Sequence, residues 1–278
     1  MKTILVPTEN IAGMRSTLET ALVLAQRADG YIEGFPLRLG LREFVTVELS
    51  GSFPVESYQE QSNQEMAEAR RLFEGFMAER GVKRAGVENS VSCGWLDNAP
   101  EGESFIGSYG RVFDVIVMSR PDADSTGLHN RAIESGLFES GRPVLLAPPT
   151  PPQKIATNIM IHWNGSTEQA RTNAFAKPLL RQADRVTVLN VIGGQNVPGP
   201  SANQMLRQLQ YSGIAAKAMN VELEGRSTGE AVLAAATAEG CDLLIKGAFT
   251  RNRLRQMIFG GATSHIMAHA ELPVLMAH

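Results

Sequence analysis

Short apolar runs alternate along the chain with longer segments whose apolar residues recur every three or four positions, a pattern that predicts strands and helices in turn. Residues 3 to 8, TILVPT, form a β-branched opening strand that stops at Glu9 and Asn10. Leu18, Ala21, Leu22 and Ala25 follow at helical spacing, with Ser16 or Thr17 as cap and Asp29-Gly30 as stop. Tyr31 to Leu37 return as a strand, and Gly40 to Ser62, which lack clear periodicity, read as a long loop. A helix beginning near Asn63 places Met66, Ala69, Phe73, Phe76 and Met77 on one face as far as Gly81. Val87 to Ser92, Val112 to Met118 and Pro143 to Ala147 complete the strands of this half. Between them fall a short helix within Asp97 to Gly110 and another from Arg131 to Ser140.

After Pro148-Pro149-Thr150-Pro151-Pro152 the order begins again. That run has few amide donors for a ladder and favours an extended spacer, so it marks a domain boundary. Strands are predicted at Lys154 to Trp163, Val186 to Val191, Lys217 to Leu223, Asp242 to Gly247 and Pro273 to Met276. Helices are predicted at Glu168 to Gln182, with Pro178 kinking or interrupting it, and at Ala202 to Tyr211, Thr228 to Glu239 and Ser264 to Ala270. The two halves also end alike, ESGRPVLLAP against HAELPVLMAH. The repeated order predicts two tandem doubly wound α/β domains, residues 1–148 and 154–278, joined by a linker at 149–153. Halves that pair through their closing strands or faces would make an intramolecular pseudo-dimer, and a homodimer is compatible with the same reading.

A chain of 278 residues is long enough for two such cores. Its net charge of -3 and scattered basic residues argue against a nucleic-acid partner. No apolar run approaches the roughly 20 residues of a membrane span, and the opening apolar run is too short for a signal-peptide core, so a cytoplasmic protein is expected. The two cysteines, Cys93 and Cys241, lie far apart and suggest neither a disulfide framework nor a zinc site.

The chemistry concentrates in the last residues, CDLLIKGAFTRNRLRQMIFGGATSHIMAHAELPVLMAH. Gly247 ends a strand, Gly260 and Gly261 open a helix, and Arg251, Arg253 and Arg255 lie between them. Glycines let backbone approach a ligand, and the free N–H groups of a helix N-terminus favour an anion, so the stretch suits a phosphate. A glycine-rich turn packing helix on sheet is the alternative. His265 and His269, four apart, could share a helix face and hold a metal, yet no third ligand is evident. Ser166, Ser264 and His162 show no spacing that implies a catalytic triad. Trp95 and Trp163 read as packing residues, with Trp163, just before Asn164, also able to line a ligand pocket.

This ending resembles the universal stress protein domain, whose nucleotide-binding members carry Gly-x-x-Gly, nine residues, then Gly followed by Ser or Thr. IMIHWNGS at Ile159 to Ser166 is similar to that family's first strand, and ADRVTVLNV at Ala183 to Val191 to its second. The likeness runs through the second half, and covers the first by element order, ILVPTEN and FESGRPVLLAP. It implies mostly parallel five-stranded sheets of the adenine nucleotide alpha hydrolase-like kind. It also implies ATP or a related adenine nucleotide as ligand, Mg only with that nucleotide, and a stress-response role without catalysis. The positions it brings to the nucleotide are His162, Asn164, Gly165, Val191, Lys246, Gly247, Phe249, Thr250, Gly260, Gly261, Ala262 and Thr263. Thr250 stands where the second glycine is expected, Gly261 where Ser or Thr is expected, and Asn164 in the place of an aspartate. In the first half the motif is absent: Asp122 and Ala132-Ile133 fall at its positions, and Glu9 takes the aspartate place. A ligand-free interaction module and a slow ATP-hydrolysing or adenylate-using enzyme are the alternative functions, and the sequence names no protein partner.

Overall fold

The computed structural model describes residues 1–9, 11–38, 55–85, 90–121, 127–248 and 261–278. The chain divides into two compact units, Met1–Ser119 with Ala123–Arg142, and Arg120–Asp122 with Pro143–His278.

The first unit is built on strands β1 (Thr3–Thr8), β2 (Tyr31–Pro36), β3 (Lys83–Arg84), β4 (Ser92–Trp95) and β5 (Val115–Ser119). Their order is β3-β4-β2-β1-β5, parallel at every pairing. Helices α1 (Met14–Gln26), α2 (Val55–Glu79), α3 (Ser104–Tyr109) and α4 (Gly127–Glu139) connect them. Ile4, Leu5, Val6, Ile32, Val115, Ile116 and Val117 are fully buried, as strands covered by helices require.

Two elements depart from the sequence expectation. Helix α2 begins at Val55 rather than near Asn63, because Tyr58 and Ser62 are buried and extend the inward stripe of Ala69, Phe73, Phe76 and Met77. On its outer side Gln61 donates to Glu65 and Gln64 to Glu68, both at 3.0 Å, the spacing at which helical side chains meet. The strand expected at Val87 to Ser92 lies at Ser92–Trp95, where it pairs with β2 from Tyr31 to Gly34. Val87 to Asn89 lie outside the described residues, as does the greater part of the loop expected from Gly40 to Ser62.

The second unit contains β6 (Val144–Ala147), β7 (Asn158–His162), β8 (Arg185–Ile192), β9 (Lys217–Glu222), β10 (Leu243–Gly247) and β11 (Val274–Ala277). The order is β6-β11-β10-β7-β8-β9, parallel except where β6 runs antiparallel to β11. Because Leu145 pairs with Leu275, the division between units falls at Arg142 and Pro143, ahead of the proline run. The helices are α5 (Thr167–Leu180), α6 (Ala202–Tyr211), α7 (Thr228–Ala238) and α8 (Ala262–His269). Capping boxes start α6 at Ser201/Gln204 and α7 at Ser227/Glu230. Pro178 lies within α5, which runs on to Leu180 instead of stopping there. Side-chain alternation along β10 sends Gly247 against α5 and Lys246 toward α8, so helices cover both faces of this sheet. Among the described residues no helix is long and apolar enough to cross a membrane.

Two glycines of the first unit give opposite expectations. A Cβ at Gly34 in β2 would stand 2.5 Å from the Phe73 ring, whereas one at Gly75 in α2 meets nothing within 4 Å. Gly34→Ala is expected to lower unfolding stability by about 1–3 kcal/mol through overpacking. Gly75→Ala should raise it by about 0.5–1 kcal/mol through lost unfolded-state freedom. Urea unfolding of the two variants against the parent checks both signs.

Candidate functional site

The second-unit candidates gather at the carboxyl ends of β7, β8 and β10, where open α/β sheets present their ligand sites. After β7 the chain turns through Trp163, Asn164 and Gly165. Asn164 Oδ1 accepts from Ser166 N at 3.2 Å, and the Ser166 hydroxyl accepts from Gln169 N at 3.1 Å, capping α5. Gly165 adopts φ +78°, and a Cβ there would stand 2.9 Å from Val197 O. The segment after β8 closes over this turn: Val197 N donates to Asn164 O at 3.0 Å and Trp163 Nε1 to Pro200 O at 2.7 Å. Trp163 is thus buried with its polar edge satisfied inside the protein.

Gly247 has no room for a side chain, and Gly261 holds a backbone conformation that other residues rarely adopt. A Cβ at Gly247 would stand 2.5 Å from Gln169 N, and Gly247 N itself donates to Gln169 Oε1 at 2.7 Å. Gly261 holds φ +94° and ψ -175°, a region that is essentially glycine's own. The Ser or Thr of the motif is therefore excluded at 261 by the backbone. Thr263 supplies a hydroxyl in the first turn of α8, where it accepts from Lys246 Nζ at 2.9 Å. Lys246 Nζ donates also to Gly247 O at 2.9 Å. Phe249, Thr250, Gly260 and the three loop arginines lie outside the described residues.

Further polar groups that the resemblance offers a nucleotide are engaged within the chain. Val191 O accepts from Gly194 N at 3.1 Å and from Asn196 Nδ2 at 3.2 Å. The N-terminus of α8 meets Gln195, whose Oε1 lies 3.5 Å from Ala262 N. Gln169 and Gln195 are site residues that sequence reasoning missed. Gln169 lies in the first turn of a predicted helix and Gln195 in a predicted loop, and a side-chain amide carries no spacing signal.

Lys246 is 3% exposed and His162 2%. The register pairs Ile245 with Ile161, so the next residues along, Lys246 and His162, are neighbours on one face of the sheet. Burial pushes the Lys246 ammonium down to about 8, with Glu168 opposing. Burial, and secondarily the charge of Lys246, holds the His162 imidazole down to about 3. At neutral pH the pair is one ammonium beside one neutral ring. Both ring nitrogens of His162 are buried without a hydrogen-bond partner among the described residues.

The corresponding corner of the first unit is closed. Glu9, at the end of β1, lies 2.7 Å through Oε1 from Nδ1 of His129 in α4. His129 Nε2 lies 3.1 Å from Ser119 O and 3.3 Å from Ser119 Oγ at the end of β5. All three residues are buried, so the carboxylate in the aspartate place is committed to an internal partner. Asp122 and Asp124 lie outside the described residues. Of the other candidates, His265 and His269 stack with ring centroids 4.3 Å apart, and His269 Nδ1 lies 2.9 Å from His265 O. Among the described residues no group of three or more His, Cys, Asp or Glu side chains is arranged to hold a metal. Burial raises the thiol pKa of Cys93, and that of Cys241 to about 11, which leaves both poor nucleophiles.

The depressed imidazole has a defined linkage. Between the ordinary value of 6.5 and about 3, the unfolded chain binds a proton at His162 that the folded chain refuses, so stability falls as pH falls through that window. From pH 7 to pH 4 the loss from this group is about 3 kcal/mol. By urea unfolding at the two pH values the parent should lose about 3 kcal/mol more than His162→Phe, and equal acid losses would assign the effect to other groups.

Residues 157–278 match the family model described as Universal stress protein family. No curated protein sequence gives a significant match. Among solved structures, a universal stress protein from Archaeoglobus fulgidus DSM 4304 is similar over 99% of this chain and 97% of its own, with a TM-score of 0.72 at 14% identity. A functionally unknown protein from Pseudomonas aeruginosa PAO1 is similar over 100% of this chain and 92% of its own, with a TM-score of 0.53 at 14% identity. Likeness at such identity speaks for the fold, while membership rests on the sequence match. Residues 157–278 therefore belong to the universal stress protein family, and the fold of a solved member extends over the rest of the chain.

Proposed function

We propose that this is a cytoplasmic stress-response protein whose second unit binds an adenine nucleotide, ATP or a close relative, without turning it over. The observation that carries the reading is the pair of obligatory glycines. Gly247 has no room for a Cβ at the end of β10, and Gly261 holds a positive φ at the N-terminus of α8. Gly247 stands at the first glycine of the family's nucleotide motif, and Gly261 directly follows its last glycine, at the position where the motif has Ser or Thr. Asn164, Gly165 and Thr263 lie around the same strand ends and would hold the sugar and phosphates, with Lys246 supplying charge beneath them. Mg would enter only with the nucleotide.

A ligand-free interaction module is the second reading, favoured by Val191 O and the α8 N-terminus, which already have partners within the chain. A binder has to displace Gln195 and the Asn196 amide, and each lost hydrogen bond costs about 0.5–1.5 kcal/mol.

Mass spectrometry of gently purified protein, followed by calorimetric titration with ATP, separates the readings. The expected result is an adenine nucleotide released on denaturation, saturable ATP binding by the stripped protein, and no release of phosphate or adenylate over hours. No co-purified nucleotide together with no heat of ATP binding would put the interaction module first. Steady turnover would establish an enzyme.

A further inference from the structure

Lys246 carries a buried charge without a counter-ion. Its Nζ donates to two neutral oxygens, Gly247 O and Thr263 Oγ1, and no carboxylate among the described residues pairs with it. Glu168 is the acid whose field reaches it, yet Glu168 stands in the first turn of α5, on the Gly247 side of the strand, and forms no ion pair with Lys246. An uncompensated ammonium so deeply buried is strongly unfavourable unless an anion accompanies it.

A second observation points the same way. His162, next to Lys246 across the strand pair, has both ring nitrogens buried and unpartnered. A neutral imidazole carries one N–H donor and one acceptor, and buried polar atoms almost always find partners in protein or ligand. The unmatched charge and the unmatched donor lie side by side on one face of the sheet.

We infer that Lys246 and His162 form a built anion site in which a phosphoryl oxygen accepts from the Lys246 ammonium and from the His162 ring N–H. The site lies one residue before Gly247, and it takes its charge from a strand residue. The ligand is a phosphate-bearing small molecule or free phosphate. This site adjoins the proposed nucleotide position but does not require the adenine, so the two readings can fail separately.

The test is calorimetric titration of the full chain with inorganic phosphate, AMP and ATP, on the parent and on Lys246→Met. Whichever anion binds should bind the variant at least tenfold more weakly, as loss of a charge-assisted hydrogen bond implies. The ligand-free variant should melt a few degrees higher than the parent, because the uncompensated charge is gone. A third measurement needs no variant. From pH 8 to pH 9.5 phosphate stays a dianion while Lys246 loses its proton, so phosphate affinity should fall by about tenfold or more.

Phosphate binding that depends on Lys246, with no binding of AMP or ATP, would support this inference and remove the nucleotide reading. ATP binding equally well to the parent and to Lys246→Met would overturn the inference and leave the nucleotide reading standing. The inference is also overturned if none of the three anions binds the parent, or if the ligand-free variant melts lower.

Discussion

At the carboxyl end of the second unit's sheet, the arrangement depends on the alternation of a single strand. Along β10 successive residues face opposite sides, so Gly247 and Lys246 address different helices. On one side the missing Cβ lets the first turn of α5 settle against the strand, held by the bond from Gly247 N to Gln169 Oε1. On the other, the Lys246 ammonium reaches Thr263 and ties the start of α8 to the sheet. A side chain at 247 would push α5 away, and an apolar residue at 246 would leave the Thr263 hydroxyl without its donor. The N-termini of α5 and α8 are thus positioned by two adjacent residues of opposite character.

Most of this architecture was legible in the sequence because the two periodicities rarely compete. The strands β7, β8, β10 and β11 are apolar runs bounded by polar or glycine residues, and α6 has its expected bounds, Ala202–Tyr211. The misplacements have local causes. Helix α2 starts early because Tyr58 and Ser62, one aromatic and one polar, form its buried face where an aliphatic stripe was sought. Strand β4 is short and contains Gly94, so pairing with β2 defines it better than composition does. At the site, the glycine positions could be read from spacing, but Gln169 and Gln195 could not. Their contacts link residues that lie far apart in the chain, Gln169 with Gly247 and Gln195 with Ala262. Nor could spacing show that position 261 must remain glycine, since that is a property of its φ angle.

The two units resolve the same corner in different ways. In the first, Glu9, His129 and Ser119 satisfy one another, and the polar groups at the ends of β1 and β5 are used up in holding α4 to the sheet. In the second, the matching positions Asn164 and Gly247 are also bonded within the chain, while Lys246, one residue before Gly247, and His162, two before Asn164, have hydrogen-bonding capacity left over among the described residues. Closing a corner internally secures the fold at the expense of a ligand, and leaving one open does the reverse.

Strand β6 has a consequence for where the second unit can begin. Its four residues precede the proline run, yet Val144, Leu145 and Leu146 pair with Met276, Leu275 and Val274. The chain therefore shields the outer edge of β11 with a segment borrowed from upstream. A fragment started at the proline run would expose VLMA as a bare, apolar border with unpaired amides, the kind of surface that recruits foreign strands and aggregates.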